Sequence, residues 1–208
     1  MHSKIFEKLK LSPFYYLINP IFQRFEVLLW IGRGKTPPTP HLIKQALVKQ
    51  YADKYKLKTF IETGTYLGVM VDAVKKSFDR IYTIEIDKKL YQRAKNKFNK
   101  NTNVSVLLGD SGKLLKKVIH KLDTPALFWL DAHYSGGITG KGKGTTPVMK
   151  ELSYLMNNKI SGHIVLIDDA HLFNSNKNYP SKQQVKQFVM AKKFKSLFKV
   201  EDNIIIVI

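Results

Sequence analysis

The stretch Glu62-Thr63-Gly64-Thr65-Tyr66-Leu67-Gly68 follows an apolar strand pattern at 59–61 and precedes a helix pattern at 69–77. A second strand pattern at 81–84 ends on an acid, Glu85, with Ile86 beside it. That order of strand, glycine turn, helix, strand and terminal acid is the layout of a nucleotide-binding βαβ unit. Glycine lets the backbone turn tightly and approach a ligand. A carboxylate ending the second strand can accept hydrogen bonds from ribose hydroxyls. A glycine turn alone also serves simple loop closure, so the weight rests on the turn and Glu85 together. The turn begins with an acid and lacks the Lys-Ser/Thr of a P-loop, which argues against a nucleoside triphosphate. An acid facing the ligand suits a positively charged, phosphate-free cofactor.

Downstream of residue 41 the same alternation repeats. Helix patterns at 42–55, 69–77, 88–98, 113–120, 147–156 and 183–191 interleave with strand patterns at 59–61, 81–84, 104–108, 126–130 and 164–167. Two last strand patterns, 197–200 and 204–208, flank Asp202-Asn203 and predict a closing hairpin. Repeated βα units predict an α/β fold: a Rossmann-like, mostly parallel seven-stranded sheet with helices on both faces and one antiparallel strand from the C-terminal hairpin. The expected division is an amphipathic helix and linker over 1–40, then one domain over 41–208.

In such sheets ligands collect at the carboxyl ends of the strands. Those ends read Glu62, Glu85, Gly109-Asp110-Ser111, Asp131-Ala132-His133-Tyr134 and Asp168-Asp169-Ala170-His171. One acid before a helix is an ordinary N-cap, and Asp110-Ser111 partly fits that description. Five polar, mostly acidic ends along one edge go beyond capping, in a chain with 35 Lys+Arg against 16 Asp+Glu.

The resulting charge of +19 attracts polyanions such as nucleic acid, acidic glycans or an anionic membrane face. The lysines are scattered, as they are when they simply solvate helix faces. There is no cysteine, so disulfide and thiolate chemistry are excluded. The apolar segment 14–31 is interrupted by Asn19, Pro20, Gln23, Arg24 and Glu26, too polar to span a bilayer, and no cleavage site follows it. A cytoplasmic protein, with an option of membrane association, is the expectation. Ile21, Phe22, Phe25, Leu28 and Leu29 recur at helical spacing. Such a helix can pack on the domain (the default), on a second copy as a homo-oligomer, or peripherally on a membrane. Residues 32–40, rich in glycine and proline, predict a stiff linker.

On these residues the domain resembles the class I S-adenosylmethionine-dependent methyltransferases. Glu-Thr-Gly-Thr-Tyr-Leu-Gly is similar to the Glu-x-Gly-x-Tyr-x-Gly turn of the metal-dependent catechol O-methyltransferase type, with Tyr66 at the position of the third glycine in the commoner turn. The resemblance implies an S-adenosylmethionine site formed by Glu62, Thr63, Gly64, Thr65, Tyr66, Glu85, Ile86, Asp110, Ser111 and Asp131. Glu85 would lie on the ribose, and Asp110 and Ser111 beside the adenine. In that group and the macrocin-type sugar O-methyltransferases, an Asp ending strand four and an Asp-Asp/Asn pair ending strand five hold magnesium. Asp131, Asp168 and Asp169 fall on those positions, implying a site for Mg²⁺ or Mn²⁺. The stretches 128–137 and 166–171 are also similar to surface-glycan methyltransferases of microbes and large viruses, which implies a sugar hydroxyl as acceptor.

The catechol enzymes place a lysine three positions after the strand-four Asp, where this chain has Tyr134, so that base does not carry over. A divalent ion lowers the pKa of an oxygen bound to it, and three carboxylates are hard ligands suited to magnesium. The structural alternative for the three acids is mutual relief by a lysine or by backbone N–H groups. His133 can take the acceptor proton near neutral pH, or hold its loop. His171 and Tyr134 are expected to bind substrate, or His171 to support the site from behind. Residues 135–146 are a candidate lid. An RNA methyltransferase is favoured by charge but lacks the Asp/Asn-Pro-Pro-Tyr/Phe box. A metal-dependent hydrolase would leave Glu62 and Glu85 without a role, and a non-enzymatic glycan- or membrane-binding module is a third alternative.

Overall fold

A computed structural model describes residues 13–131, 146–176, 178–192 and 196–208. A long helix, α1 (Pro13–Gly32), precedes α2 (His41–Lys54). Then follow β1 (Thr59–Thr63), α3 (Val69–Val74), β2 (Arg80–Glu85), α4 (Lys88–Lys97), β3 (Val104–Leu108) and α5 (Ser111–Ile119). The second half holds β4 (Leu127–Leu130), α6 (Val148–Met156), β5 (Ile164–Ile167), α7 (Leu172–Ser175), α8 (Lys182–Lys192), β6 (Phe198–Glu201) and β7 (Ile204–Val207).

The strands form one sheet in the order β3-β2-β1-β4-β5-β7-β6. All neighbours are parallel except those of β7, which runs antiparallel to both β5 and β6. The order reverses between β1 and β4, the kind of switch point beside which ligands bind in sheets of this type. The expected hairpin and single antiparallel strand are therefore both present.

Strand periodicity sorts the core into two layers. Phe128 and Leu130 join Leu115, Leu152 and Leu155 on one face, while Leu127 and Trp129 join Val48, Phe60 and Val71 on the other. Strands β4, β5 and β7 are buried along their whole length, which is why they read as continuous apolar runs. Each fully buried large apolar side chain contributes about 1.5–3 kcal/mol.

Three expectations need correction. Glu62 and Thr63 belong to β1 instead of the turn, because both are buried and paired in register with β2. Helix α5 begins earlier than expected, at Ser111, since Asp110 caps it by accepting from the Gly112 N–H at 2.8 Å. The apolar side of α1 does not pack on the domain: Ile21, Phe22, Phe25, Leu28 and Leu29 are exposed, and only Trp30 of the helix is buried among its described side chains. The short α7 was not expected from the sequence.

Candidate active site

The turn after β1 is built by backbone bonds to β2. Gly64 N–H donates to Ile84 O at 2.9 Å, and Gly68 closes the turn onto Thr65 O at 2.8 Å. Gly64 and Gly68 adopt φ of 89° and 67°, the left-handed region open to glycine. At Gly68 a Cβ would also stand 2.8 Å from the Phe98 ring, so this position has no room for a side chain. Tyr66 holds positive φ as well, 49°, a strained choice for an aromatic residue inside the turn.

Both acids of this half are pinned. Glu85 accepts from Tyr66 N–H at 2.8 Å and Asp87 N–H at 2.9 Å, tying the β1 turn to the segment after β2. Burial raises its carboxyl pKa, against the pull of those two backbone donors. Each carboxylate oxygen retains acceptor capacity, so Glu85 can still receive a ribose hydroxyl. Ile86, beside it, is a large apolar side chain left exposed. Glu62 lies deeper and accepts from Thr83 Oγ1 at 2.6 Å, and burial pushes its carboxyl up to about 8. Thr65 and Thr83 hydroxyls meet at 2.5 Å above it. Asp110 is occupied as the cap of α5, with Ser111 buried next to it.

The second half of the edge is organised differently. Asp131 receives its place from its own N–H, which donates to Thr63 O at 3.1 Å. Asp168 and Asp169 follow β5, with Asp169 N–H donating to Asp168 Oδ1 at 2.8 Å. One carboxylate oxygen from each of Asp131, Asp168 and Asp169 lies within 4.8 Å of the others. Asp169 sits at φ 53°, which turns the chain sharply at the strand end.

A cation already faces this cluster. Lys44, buried on α2, donates from Nζ to Asp168 and lies 4.0 Å from Asp169 Oδ1. Burial alone would lower the ammonium pKa, but Asp168, Asp131 and Asp169 hold it above its ordinary value. The Asp168 carboxyl is pushed up by burial and by Asp131, and Lys44 opposes the rise.

Like Lys44, Glu151 of α6 was passed over by sequence reasoning. It is buried, lines the same cavity as Asp131, Asp168, Phe173 and Tyr179, and its Oε1 has no hydrogen-bond partner among the described residues. Burial pushes its carboxyl up to about 7, against the Ser111 and Thr63 hydroxyls that favour the ionised form. Both residues had a legible signal. Lys44 falls on the face of α2 that buries Leu47, Val48 and Tyr51, and Glu151 on the face of α6 that buries Val148, Leu152 and Leu155. A charge on an apolar stripe is the anomaly to look for.

His171 opens α7 at the rim. Its N–H donates to Asn203 Oδ1 at 2.7 Å and its ring Nδ1 stands 4.0 Å from Asp169 Oδ1. Asn203, in the β6–β7 turn, thus orients a histidine that backs the acid cluster. His133, Tyr134 and nearly all of the candidate lid lie outside the described residues.

This sheet order and the acid-lined switch point are those of the Rossmann-like methyltransferase fold. No family model matches the chain. Among solved structures it is similar to the O-methyltransferase from Bacillus cereus in complex with SAH, at 16% identity and TM-score 0.59 over 89% of each chain. It is also similar to the O-methyltransferase TomG from Streptomyces achromogenes in complex with SAM, at 15% identity and TM-score 0.57 over 79% of this chain and 78% of that one. The N-methyltransferase NodS from Bradyrhizobium japonicum matches at 9% identity and TM-score 0.53, over 79% of this chain and 91% of that one. The fold is common to O- and N-methyl transfer, so the acceptor has to be argued from the site.

Proposed function

We propose that this chain transfers a methyl group from S-adenosylmethionine to a hydroxyl of a sugar, with a divalent ion on Asp131, Asp168 and Asp169. The observation that carries the reading is the convergence of three carboxylate oxygens within 4.8 Å at the ends of β4 and β5, across the switch point from the pinned Glu85.

The residues fit both groups. Glu85 is held by two backbone donors, one on each carboxylate oxygen, and each oxygen keeps acceptor capacity for a ribose hydroxyl. The turn at Gly64 to Gly68 brings backbone close to a ligand, Ile86 supplies apolar cover, and Asp110 with Ser111 stands at the far side. Three carboxylates are a hard oxygen set suited to Mg²⁺ or Mn²⁺, and the partnerless Oε1 of Glu151 adds unsatisfied acceptor capacity to the same cavity. Lys44 competes with any such ion for Asp168.

S-adenosylmethionine supplies an activated methyl group, and a divalent ion would lower the pKa of the acceptor hydroxyl. Glu85 and the β1 turn orient the donor so that displacement can run in line. His133, two residues past Asp131, takes the acceptor proton. Tyr134 and His171 contact the sugar, with Asn203 fixing His171 from behind. The test is incubation of the protein with labelled S-adenosylmethionine and candidate glycans, read by mass spectrometry. Label on a sugar oxygen is expected; label on RNA and none on sugar would transfer the reading to a nucleic-acid methyltransferase.

A further inference from the structure

Helix α1 has two sides with opposite fates. Gln23, Val27 and Trp30, spaced along one face, turn toward the body and are half-buried or buried. Opposite them Ile21, Phe22, Phe25, Leu28 and Leu29 form an arc of roughly a third of the circumference at 3.6 residues per turn. These side chains are 76%, 63%, 57%, 65% and 42% exposed. Five large apolar groups in one contiguous arc mark a surface that is covered in use.

Charge decides between the two occupants such an arc could take. A second copy brings another +19, and that field opposes self-association. An anionic bilayer has the opposite sign, and basic residues bracket the helix: Lys4, Lys8 and Lys10 before it in sequence, Arg33 and Lys35 after it. Apolar residues on one face with basic residues at the ends are what an interfacial helix needs, since buried area and headgroup attraction act together. Among the described residues no helix is long and apolar enough to cross a membrane, so α1 would lie on the surface and not span it.

The helix is also fixed relative to the site. Lys35 Nζ stands 5.4 Å from the Trp30 ring centroid and 3.3 Å from Asp202 Oδ1. Thr39 Oγ1 donates to Asp202 O at 2.7 Å. The next residue, Asn203, holds His171 at the rim of the acid cluster. The linker is therefore pinned to the β6–β7 turn at the carboxyl edge of the sheet. We propose that α1 docks through its apolar arc on an anionic lipid bilayer and so holds the acid-lined edge beside the membrane surface. This docking does not depend on which group the enzyme methylates.

Co-sedimentation of the full chain with phosphatidylcholine vesicles, with and without phosphatidylserine, tests it. Binding is expected with phosphatidylserine, weakening as salt rises. The Phe25→Glu/Leu28→Glu variant should lose at least about tenfold in partition, with an unchanged melting temperature. The salt and lipid-charge dependence of the wild-type protein keeps the test decisive should that variant fold poorly. No binding to phosphatidylserine vesicles at moderate salt overturns the proposal. So does a wild-type dimer that this variant converts to monomer without any vesicle binding, because the arc is then a subunit interface.

Discussion

The two halves of the sheet's carboxyl edge treat their acids in opposite ways. At β1 and β2, Glu62 and Glu85 are satisfied by the protein's own neutral donors: the Thr83 hydroxyl and the N–H groups of Tyr66 and Asp87. At β4 and β5, Asp131, Asp168 and Asp169 face one another, and the groups that relieve them include a cation, the Lys44 ammonium. Fixed neutral donors pre-organise a carboxylate for a hydroxyl-bearing ligand. Crowded carboxylates demand positive charge, and a lysine on a neighbouring helix supplies one unit among three acids. On the proposed function, the first half binds the methyl donor and the second holds an exchangeable cation.

The largest effect should come from the second half. Asp169→Ala is expected to abolish turnover while leaving SAH binding and the melting temperature near wild type, measured by calorimetry and thermal unfolding. Retained turnover would make the crowding of acids a structural accident. His133→Ala should lower turnover by about 10²–10⁴, the range of a general base. If Tyr134→Phe proves the damaging change instead, proton removal belongs to that neighbour.

In the first half, Glu85→Ala should weaken SAH binding by about 1.5–3 kcal/mol, the loss of hydrogen bonds to a charged acceptor. Unchanged affinity would dissolve the contrast between the halves. The smallest effect on turnover concerns Glu62, whose protonation bears on stability. Its folded-state pKa of about 8 lies above the ordinary 4.5, so the folded protein holds a proton that the unfolded chain releases. Its contribution is complete below about pH 4.5 and is lost as pH rises toward 8. Glu62→Gln should therefore flatten the decline of stability across that window in denaturant melts at several pH values.

How much of this was legible in the sequence follows the same division. The βαβ unit could be read because strand period, glycine turn and terminal acid are local, and the buried strands β4, β5 and β7 read as apolar runs. The acid ends could be gathered to one edge because a parallel sheet puts all its carboxyl ends together. Lys44 and Glu151 escaped because their roles are set by tertiary contact: each sits on a helix stripe whose other members are apolar, and only packing shows which strand end it meets. The fate of α1 escaped for a related reason. Its periodicity revealed an apolar face, but which face turned inward was decided by Trp30, Lys35 and Asp202, partners far apart in sequence.

The proposed function requires the β4–β5 acids to work with a cation beyond Lys44. Its most direct test is methyl transfer by the wild-type protein after exhaustive treatment with EDTA, followed by return of Mg²⁺ or Mn²⁺. Turnover should vanish with the chelator and be restored by either ion, while SAH affinity stays constant throughout. Full turnover in EDTA would contradict the claim and leave Lys44 as the cation that serves these carboxylates.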